Sequence, residues 1–245
     1  MTSANHLSLE TLRQTLIRQE ETLIFAFIER AQFKQNQPCY TPGAMEALSG
    51  NQSMLDFFML KTEELHALSR RYISPEEHAF NTALPKPLLP AFEWTAPIVQ
   101  NTINSNDEIK RYYLDVIISK ICQPGDCGNY GSSVTCDIIC LQALSKRIHY
   151  GKFVAEAKFL AEPEAYTDLI QRKDTAGIMN QLVNKEVEHR VLKRVWNKAS
   201  AYGRDPDFND AAPKVLPDVI ADIYQYFIIP LTCKVEVEYL LQRLD

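Results

Sequence analysis

The sequence predicts an all-α fold, a single-domain multi-helix bundle with a long helix at each terminus. Three observations point there. Apolar residues recur at three- and four-residue steps over long stretches. Glycine is scarce, at 8 in 245 residues. Alternating β-branched runs closed by Asn-Gly or Asp-Gly, the mark of hairpins, are missing. With 46% hydrophobic and 23% charged residues, the chain can fill one large core, so 1–245 reads as one domain behind a flexible start at 1–6.

Leu7 to Gln32 opens with Ser8 as N-cap and Glu10 in the first turn. Leu9, Leu16, Ile17, Leu23, Ile24, Phe27 and Ile28 then mark one face of a long helix. After a loop around 36–50, Ser53 to Tyr72 reads as a second helix, closed by Pro75. From Ser74 to Pro97 five prolines and little periodicity predict an irregular excursion, extending to 105. Loops of that length in compact domains are usually functional or interfacial. Asn106 to Ile121 resumes as helix, and QPGDCGNYGSS at 123–133 is the strongest turn cluster. A helix capped by Ser132 or Ser133 is expected to continue without a break past Lys158. Tyr166–Arg172, Thr175–Asn184 and Lys185–Ala201 are shorter helical segments, and Gly203 to Pro217 is a polar loop. Pro217 to Leu244 is the final helix, with a kink expected at Pro230, which lacks an N–H.

Several function classes are excluded. The formal net charge is -5, and no cluster of Lys and Arg interleaves with aromatics, so nucleic acid is not an expected partner. No apolar run is long enough for a membrane span, and the start lacks a secretory layout. Six cysteines without zinc spacing read as reduced thiols, with Cys122, Cys127, Cys136 and Cys140 close in sequence. No metal motif, phosphate loop or nucleophilic triad stands out.

Ser145 to Phe159 reads SKRIHYGKFVAEAKF. Eleven residues make three turns plus roughly 20° of a helix, so Arg147 and Lys158 project from nearly the same line, with Gly151 and Val154 between them. Lys152, Glu156 and His149 take the opposite side, expected to face water; His189 likewise reads as a surface residue. Two cations thus occupy the face that should be buried. Arg13 stands on the buried stripe of the first helix. Thr232 and Glu236 lie one turn apart on the last helix, as do Asn184 and Glu188 before it. Unpaired buried charge costs several kcal/mol, so such groups pair, bind ligand or line a wet pocket. Two readings stay open: ion pairs of Arg13, Arg147 and Lys158 with Glu188 and Glu236 that fix helix registry, or a cationic pocket for a small dicarboxylate.

SKRIHYGKFVAEAKF, together with IRQEETLIFAFIERAQF near the start and KVEVEYLLQRLD at the end, closely resembles the fungal and plant class of all-helical chorismate mutases. The resemblance runs from about Leu7 to Asp245 and is weakest between Pro38 and Ile103. It implies conversion of chorismate to prephenate, the committed step toward phenylalanine and tyrosine, by a pericyclic rearrangement that needs no cofactor or metal. It also implies that Arg13 and Arg147 hold the two substrate carboxylates, and that Lys158 contacts the ether oxygen and a carboxylate. A protonated Glu236 hydrogen-bonds that ether oxygen. Asn184 and Glu188 match residues that bind a carboxylate and the ring hydroxyl, and Thr232 the remaining pocket hydroxyl. Cys233-Lys234 departs from the usual Lys-Glu pair, off the Thr232/Glu236 line.

Regulated members of that family are homodimers that bind an aromatic amino acid at the subunit interface. The residues similar to that site are Arg70 and Arg71 in SRRY, and Asn129, Gly131, Ser132 and Thr135 in GNYGSSVT. The resemblance therefore implies inhibition by tyrosine or phenylalanine and activation by tryptophan. A cytoplasmic enzyme is expected, or a plastid one if a transit peptide has been removed. The alternatives are a non-catalytic dicarboxylate-binding protein on the same scaffold and a secreted chorismate mutase.

Overall fold

Ser8 starts the first helix as expected, its Oγ accepting from the Thr11 N–H at 3.1 Å. The structure, a computed structural model, describes residues 8–90, 98–202 and 213–244. The start at 1–6, part of the proline-rich excursion and most of the loop from Gly203 lie outside those residues.

Helix α1 spans Leu9–Arg30. A short α2, Glu46–Ser49, leads to α3, Met54–Leu68. Ser53 caps α3 through the Asp56 N–H at 3.1 Å. That helix ends earlier than expected, because Arg70 turns left-handed at φ 70°. Next come α4, Asn106–Tyr112, a π turn over Tyr113–Ile117, and α5, Ile118–Ile121. Then follow α6, Tyr130–His149, α7, Gly151–Ala161, α8, Pro163–Gln171, and α9, Thr175–Leu182. The last are α10, Lys185–Tyr202, and α11, Pro217–Ile223, joined by a π turn over Tyr224–Ile228 to α12, Ile229–Leu241. No strand occurs among the described residues.

The core is built where α1 and α12 pack on α6, with Leu23, Ile24, Phe27, Leu141, Leu144, Ile148, Ile228 and Val235 in one cluster. Helices α1 and α6 run antiparallel. Their register is pinned at one end by Arg30, whose Nε donates to Asp137 Oδ1 at 2.6 Å, both side chains fully buried. Tyr113 and Tyr40 donate to the same carboxylate at 2.7 and 2.8 Å. The remaining guanidinium N–H groups reach the carbonyls of Phe33, Lys34 and Gln35 and the Tyr40 hydroxyl. Every charge in this knot is satisfied, the condition under which a buried ion pair is tolerated.

Two expectations about the long helices need correction. The run through Lys158 is not one helix: it breaks at Tyr150, whose carbonyl accepts from Phe153 and Val154 at 3.1 and 3.4 Å. A glycine follows at the break, and glycine in a helix interior is about 1 kcal/mol less favourable than alanine. Neither Ser132 nor Ser133 caps α6, which starts at Tyr130; the buried Ser133 hydroxyl instead donates to the Asn129 carbonyl at 2.8 Å. At the C-terminal end, where the sequence predicts a kink at Pro230, a π turn over Tyr224–Ile228 immediately precedes the first turn of α12, which holds the proline. The wider turn makes room where the proline ring would crowd a preceding carbonyl.

The proline-rich excursion is irregular in its described parts and closely held. The buried Glu63 carboxylate accepts from the backbone N–H groups of Phe80 and Asn81 at 2.7 and 2.8 Å. Asn106 Nδ2 donates to the carbonyls of His78 and Ala79 at 3.0 and 2.9 Å. This strap overturns the solvent-facing assignment of His149, Lys152 and Glu156, all of which are buried. Lys152 donates to the Ile103 carbonyl at 2.6 Å and to His78 Nε2 at 2.9 Å, and the Ser105 N–H donates to His149 Nε2 at 2.9 Å. Burial pushes His149 down to about 4, with the Lys152 charge adding to the shift. Glu156 is enclosed by the C-terminus, accepting from Tyr239 and Arg243, both at 2.6 Å.

Candidate active site

Helices α7 and α12 meet at Gly151. A Cβ there would lie 3.0 Å from Thr232 Cγ2, 3.1 Å from the Thr232 carbonyl oxygen and 3.2 Å from Glu236 Cγ. Absence of a side chain is what lets the two helices approach this closely, a role that glycine alone fills. Two turns further along α7, Lys158 Nζ donates to Glu236 Oε2 at 3.1 Å and to the Leu182 carbonyl at 2.9 Å. Cation and carboxylate on facing helices thus share one small space, with Gly151 as its floor.

Glu236 is nearly enclosed, its side chain 7% exposed against 26% for Lys158. Burial raises its pKa above the ordinary carboxylate value; Lys158 and Arg147 oppose the shift and Glu188 adds to it. Desolvation dominates, so this carboxyl is biased toward its protonated, hydrogen-bond-donating form. The Thr232 hydroxyl donates to the Ile228 carbonyl at 2.6 Å, which leaves its oxygen lone pairs for a ligand.

Arg147 is the least satisfied of the expected site residues. It is 6% exposed, and its Nε and Nη1 are buried with no hydrogen-bond partner among the described residues. The buried Glu20 carboxylate is already held by Arg194 at 2.6 and 2.8 Å and by Lys198 at 3.3 Å. Registry pairing thus accounts for Lys158 with Glu236 but not for Arg147. A buried guanidinium with open N–H groups is a receptor for an anionic, planar, two-oxygen group.

The other expected residues are placed differently. Arg13 is not buried: its side chain is 54% exposed and pairs with Glu10 at 2.8 Å. Its angle on the helix is as expected, but the first turns of α1, including the exposed Leu9, have little packed over them. Asn184 is an exposed cap, its Oδ1 accepting from the Val187 N–H at 3.1 Å at the start of α10, and Glu188 is half-buried. Asn184 follows closely on Leu182, whose carbonyl holds Lys158, so the cap stands near the pocket. Cys233, beside Thr232 in the chain, is half-buried, and burial pushes its thiol up to about 12, with Glu236 and Glu188 contributing. Tyr224 went unremarked in the sequence because a tyrosine in IYQYF reads as ordinary core. It is fully buried, and the Arg147 charge acts on its hydroxyl.

A second cleft, of about 500 Å³, is lined by Ser69, Arg70, Arg71, Ser74, Glu76, Glu77 and Lys146. Arg71 donates to Gln142 Oε1 at 3.0 Å and to Glu77 at 3.2 Å, and Arg70 donates to the Pro90 carbonyl. Asn129, Gly131, Ser132 and Thr135 lie exposed around the start of α6. Gln142 is ten residues beyond Ser132, about 15 Å along the helix. A single chain therefore keeps the two groups apart.

Comparison with known proteins bears on both sites. The sequence pattern of the family described as chorismate mutase type II matches residues 129–237. The chorismate mutase of Schizosaccharomyces pombe is 50% identical over 243 residues, covering 97% of each chain. The crystal structure of the Aro7p chorismate mutase from Candida albicans in complex with L-Trp superposes with a TM-score of 0.93 at 42% identity, covering 97% of this chain and 92% of that one. AtCM1 with tyrosine bound in its allosteric site gives a TM-score of 0.90 at 42% identity, with 99% of each chain covered.

Proposed function

The chain belongs to the chorismate mutase type II family, and from that premise we propose how its residues perform the conversion of chorismate to prephenate. The observation that carries the reading is Arg147, buried with open N–H groups on the line that also carries Lys158, which pairs with a Glu236 carboxyl whose pKa burial raises.

In this rearrangement one C–O bond breaks as one C–C bond forms within the same molecule, and negative charge grows on the departing ether oxygen. The protein's task is to hold the folded conformer and place donors where that charge appears. Arg147 takes one carboxylate. Arg13, held only by an exposed pair of the kind worth about 0–1 kcal/mol, swings from Glu10 to take the other. Lys158 Nζ and the protonated Glu236 carboxyl converge on the ether oxygen. Asn184 contributes its amide N–H groups to a carboxylate, Glu188 accepts from the ring hydroxyl, and Thr232 completes the wall. Each preorganised donor on the ether oxygen contributes about 3–4 kcal/mol to lowering the barrier.

The second site is a composite. Arg70 and Arg71 of one chain and Asn129, Gly131, Ser132 and Thr135 of another bind a free aromatic amino acid across a homodimer interface. The wide separation of the two groups within one chain supports this arrangement. Guanidinium meets the carboxylate, and the open N–H groups at the start of α6 suit an anion or a phenol oxygen. Tyrosine and phenylalanine inhibit and tryptophan activates, in a cytoplasmic enzyme that acts as a single domain. A chorismate-loss assay with and without tyrosine and tryptophan tests this; flat kinetics in an active dimer would refute the effector assignment.

A further inference from the structure

Arg71 is held from three sides, and one of its partners is a base. Its Nε and Nη2 donate to Glu77 Oε2 at 3.3 and 3.2 Å. Its Nη1 lies 2.9 Å from His66 Nδ1 and donates to Gln142 Oε1 at 3.0 Å. A guanidinium carries five N–H groups and no acceptor, so His66 Nδ1 must offer a lone pair. The imidazole is therefore neutral, with its proton on Nε2. These contacts occupy four of the five N–H groups. The fifth, on Nη2, is left for a ligand in the cleft that Arg71 lines.

His66 stands in the last turn of α3, half-buried. Tyr72 packs edge-on against its ring at 6.3 Å between centroids, with the hydroxyl 3.4 Å from the same Nδ1. The charges that act on the imidazole are Arg71 and Glu77, both from the chain after α3. Burial and then the Arg71 charge lower its pKa from the ordinary value, and Glu77 opposes them. The neighbouring charges are engaged elsewhere. Glu63 on α3 accepts from the Phe80 and Asn81 N–H groups, Lys146 on α6 pairs with Glu76 and Glu77, and Arg70 donates to the Pro90 carbonyl. An acceptor without charge suits this place. The cleft lining holds three cations against two carboxylates, and a carboxylate in place of His66 would cancel the excess that attracts an anion. A protonated ring would instead set N–H against N–H and a second cation beside the guanidinium.

We propose that His66 is a positioning residue for Arg71: its neutral Nδ1 fixes the plane of the guanidinium that meets the effector carboxylate, and protonation of the ring releases it. This rests on the reading of Arg71 as an effector-binding residue. It gives that site a dependence on pH. Effector affinity is full above the ordinary imidazole range and weakens as pH falls through the lowered His66 value, by at most about tenfold per pH unit.

The test is tyrosine inhibition of the full-length enzyme from about pH 5 to pH 7, where the carboxylate and ammonium of tyrosine keep their charges. Rates are normalised at each pH to the uninhibited rate, which removes the titration of Glu236. In wild type the half-inhibitory concentration should rise toward acid. His66→Asn puts an amide oxygen near the place of Nδ1 and cannot be protonated. It should match wild type within about threefold at pH 7 and show no acid rise. His66→Leu has no acceptor and should need about tenfold more tyrosine at pH 7, the effect of losing one hydrogen bond to a charged group. His66→Phe serves if the leucine variant does not fold. Without any effector, NMR titration of the imidazole should move toward the ordinary value in Arg71→Met. A half-inhibitory concentration within about twofold of wild type in His66→Leu overturns the proposal. So does an acid rise that persists in His66→Asn, or a His66 titration unmoved in Arg71→Met. Tyrosine inhibition that survives Arg71→Ala refutes the effector reading itself, and the proposal with it; inhibition lost there but unmoved in His66→Leu refutes the proposal alone.

Discussion

Gly151 and Thr232 approach so closely that one added methyl on the glycine would sit 3.0 Å from Thr232 Cγ2. Gly151→Ala is therefore expected to push α7 away from α12 by a few tenths of an ångström or more, destabilising the protein by about 1–3 kcal/mol. Because Lys158 and Glu236 lie on those same helices, kcat should fall more than KM rises. Thermal unfolding and steady-state kinetics on one preparation check both effects.

The two buried arginines should behave in opposite ways. Arg30→Met removes the partner of a fully buried Asp137 and should cost about 3–5 kcal/mol. Arg147→Met removes a guanidinium whose Nε and Nη1 have no partner among the described residues, so Tm should hold or rise while chorismate turnover collapses. Chemical denaturation of both variants beside wild type separates the knot that holds α1 to α6 from the group that waits for a ligand.

Burial raises the pKa of Glu236 above the ordinary carboxylate value, and the proposed mechanism uses its protonated form. Activity is thus full below the folded-state pKa and falls as pH rises through it. Glu236→Gln keeps an N–H donor at every pH, so its log kcat profile should be flat over that limb. Stability follows the same sign: the folded state binds this proton more tightly than the unfolded chain. The contribution is full below the ordinary carboxylate range and is lost as pH rises through the folded value. The glutamine variant should lack that slope in Tm against pH.

If the effector site is shared between subunits, complementation follows. Arg71→Ala and Thr135→Ala homodimers should each lose the response to tyrosine and tryptophan. Mixed dimers of the two variants carry one site with both halves intact and should recover part of it. Recovery is measured as tyrosine inhibition of purified heterodimer; none would mean that each chain supplies a whole site.

The helices were legible in the sequence because their apolar faces repeat over many turns, and the Ser8 and Ser53 caps announce their starts. The polar outliers Arg147, Lys158, Thr232 and Glu236 were legible for the same reason: each interrupts a buried stripe, and the structure buries or half-buries all of them. His149, Lys152 and Glu156 were misplaced because their cover comes from distant chain, the strap at 74–105 and the C-terminal Arg243. Helical periodicity carries no record of such non-local cover. Arg13 failed in the opposite sense, since a helix angle says which way a residue points but not whether anything lies there.

The most direct test of the central claim is the rate of chorismate loss and prephenate formation by the wild-type protein, Lys158→Ala and Glu236→Ala, each checked for intact folding. Wild type should convert chorismate to prephenate, and each variant should lose about 10²–10³ in kcat, the effect of removing one preorganised donor. A folded Glu236→Ala variant with kcat within about tenfold of wild type would contradict the assignment of the Lys158–Glu236 pair to the ether oxygen.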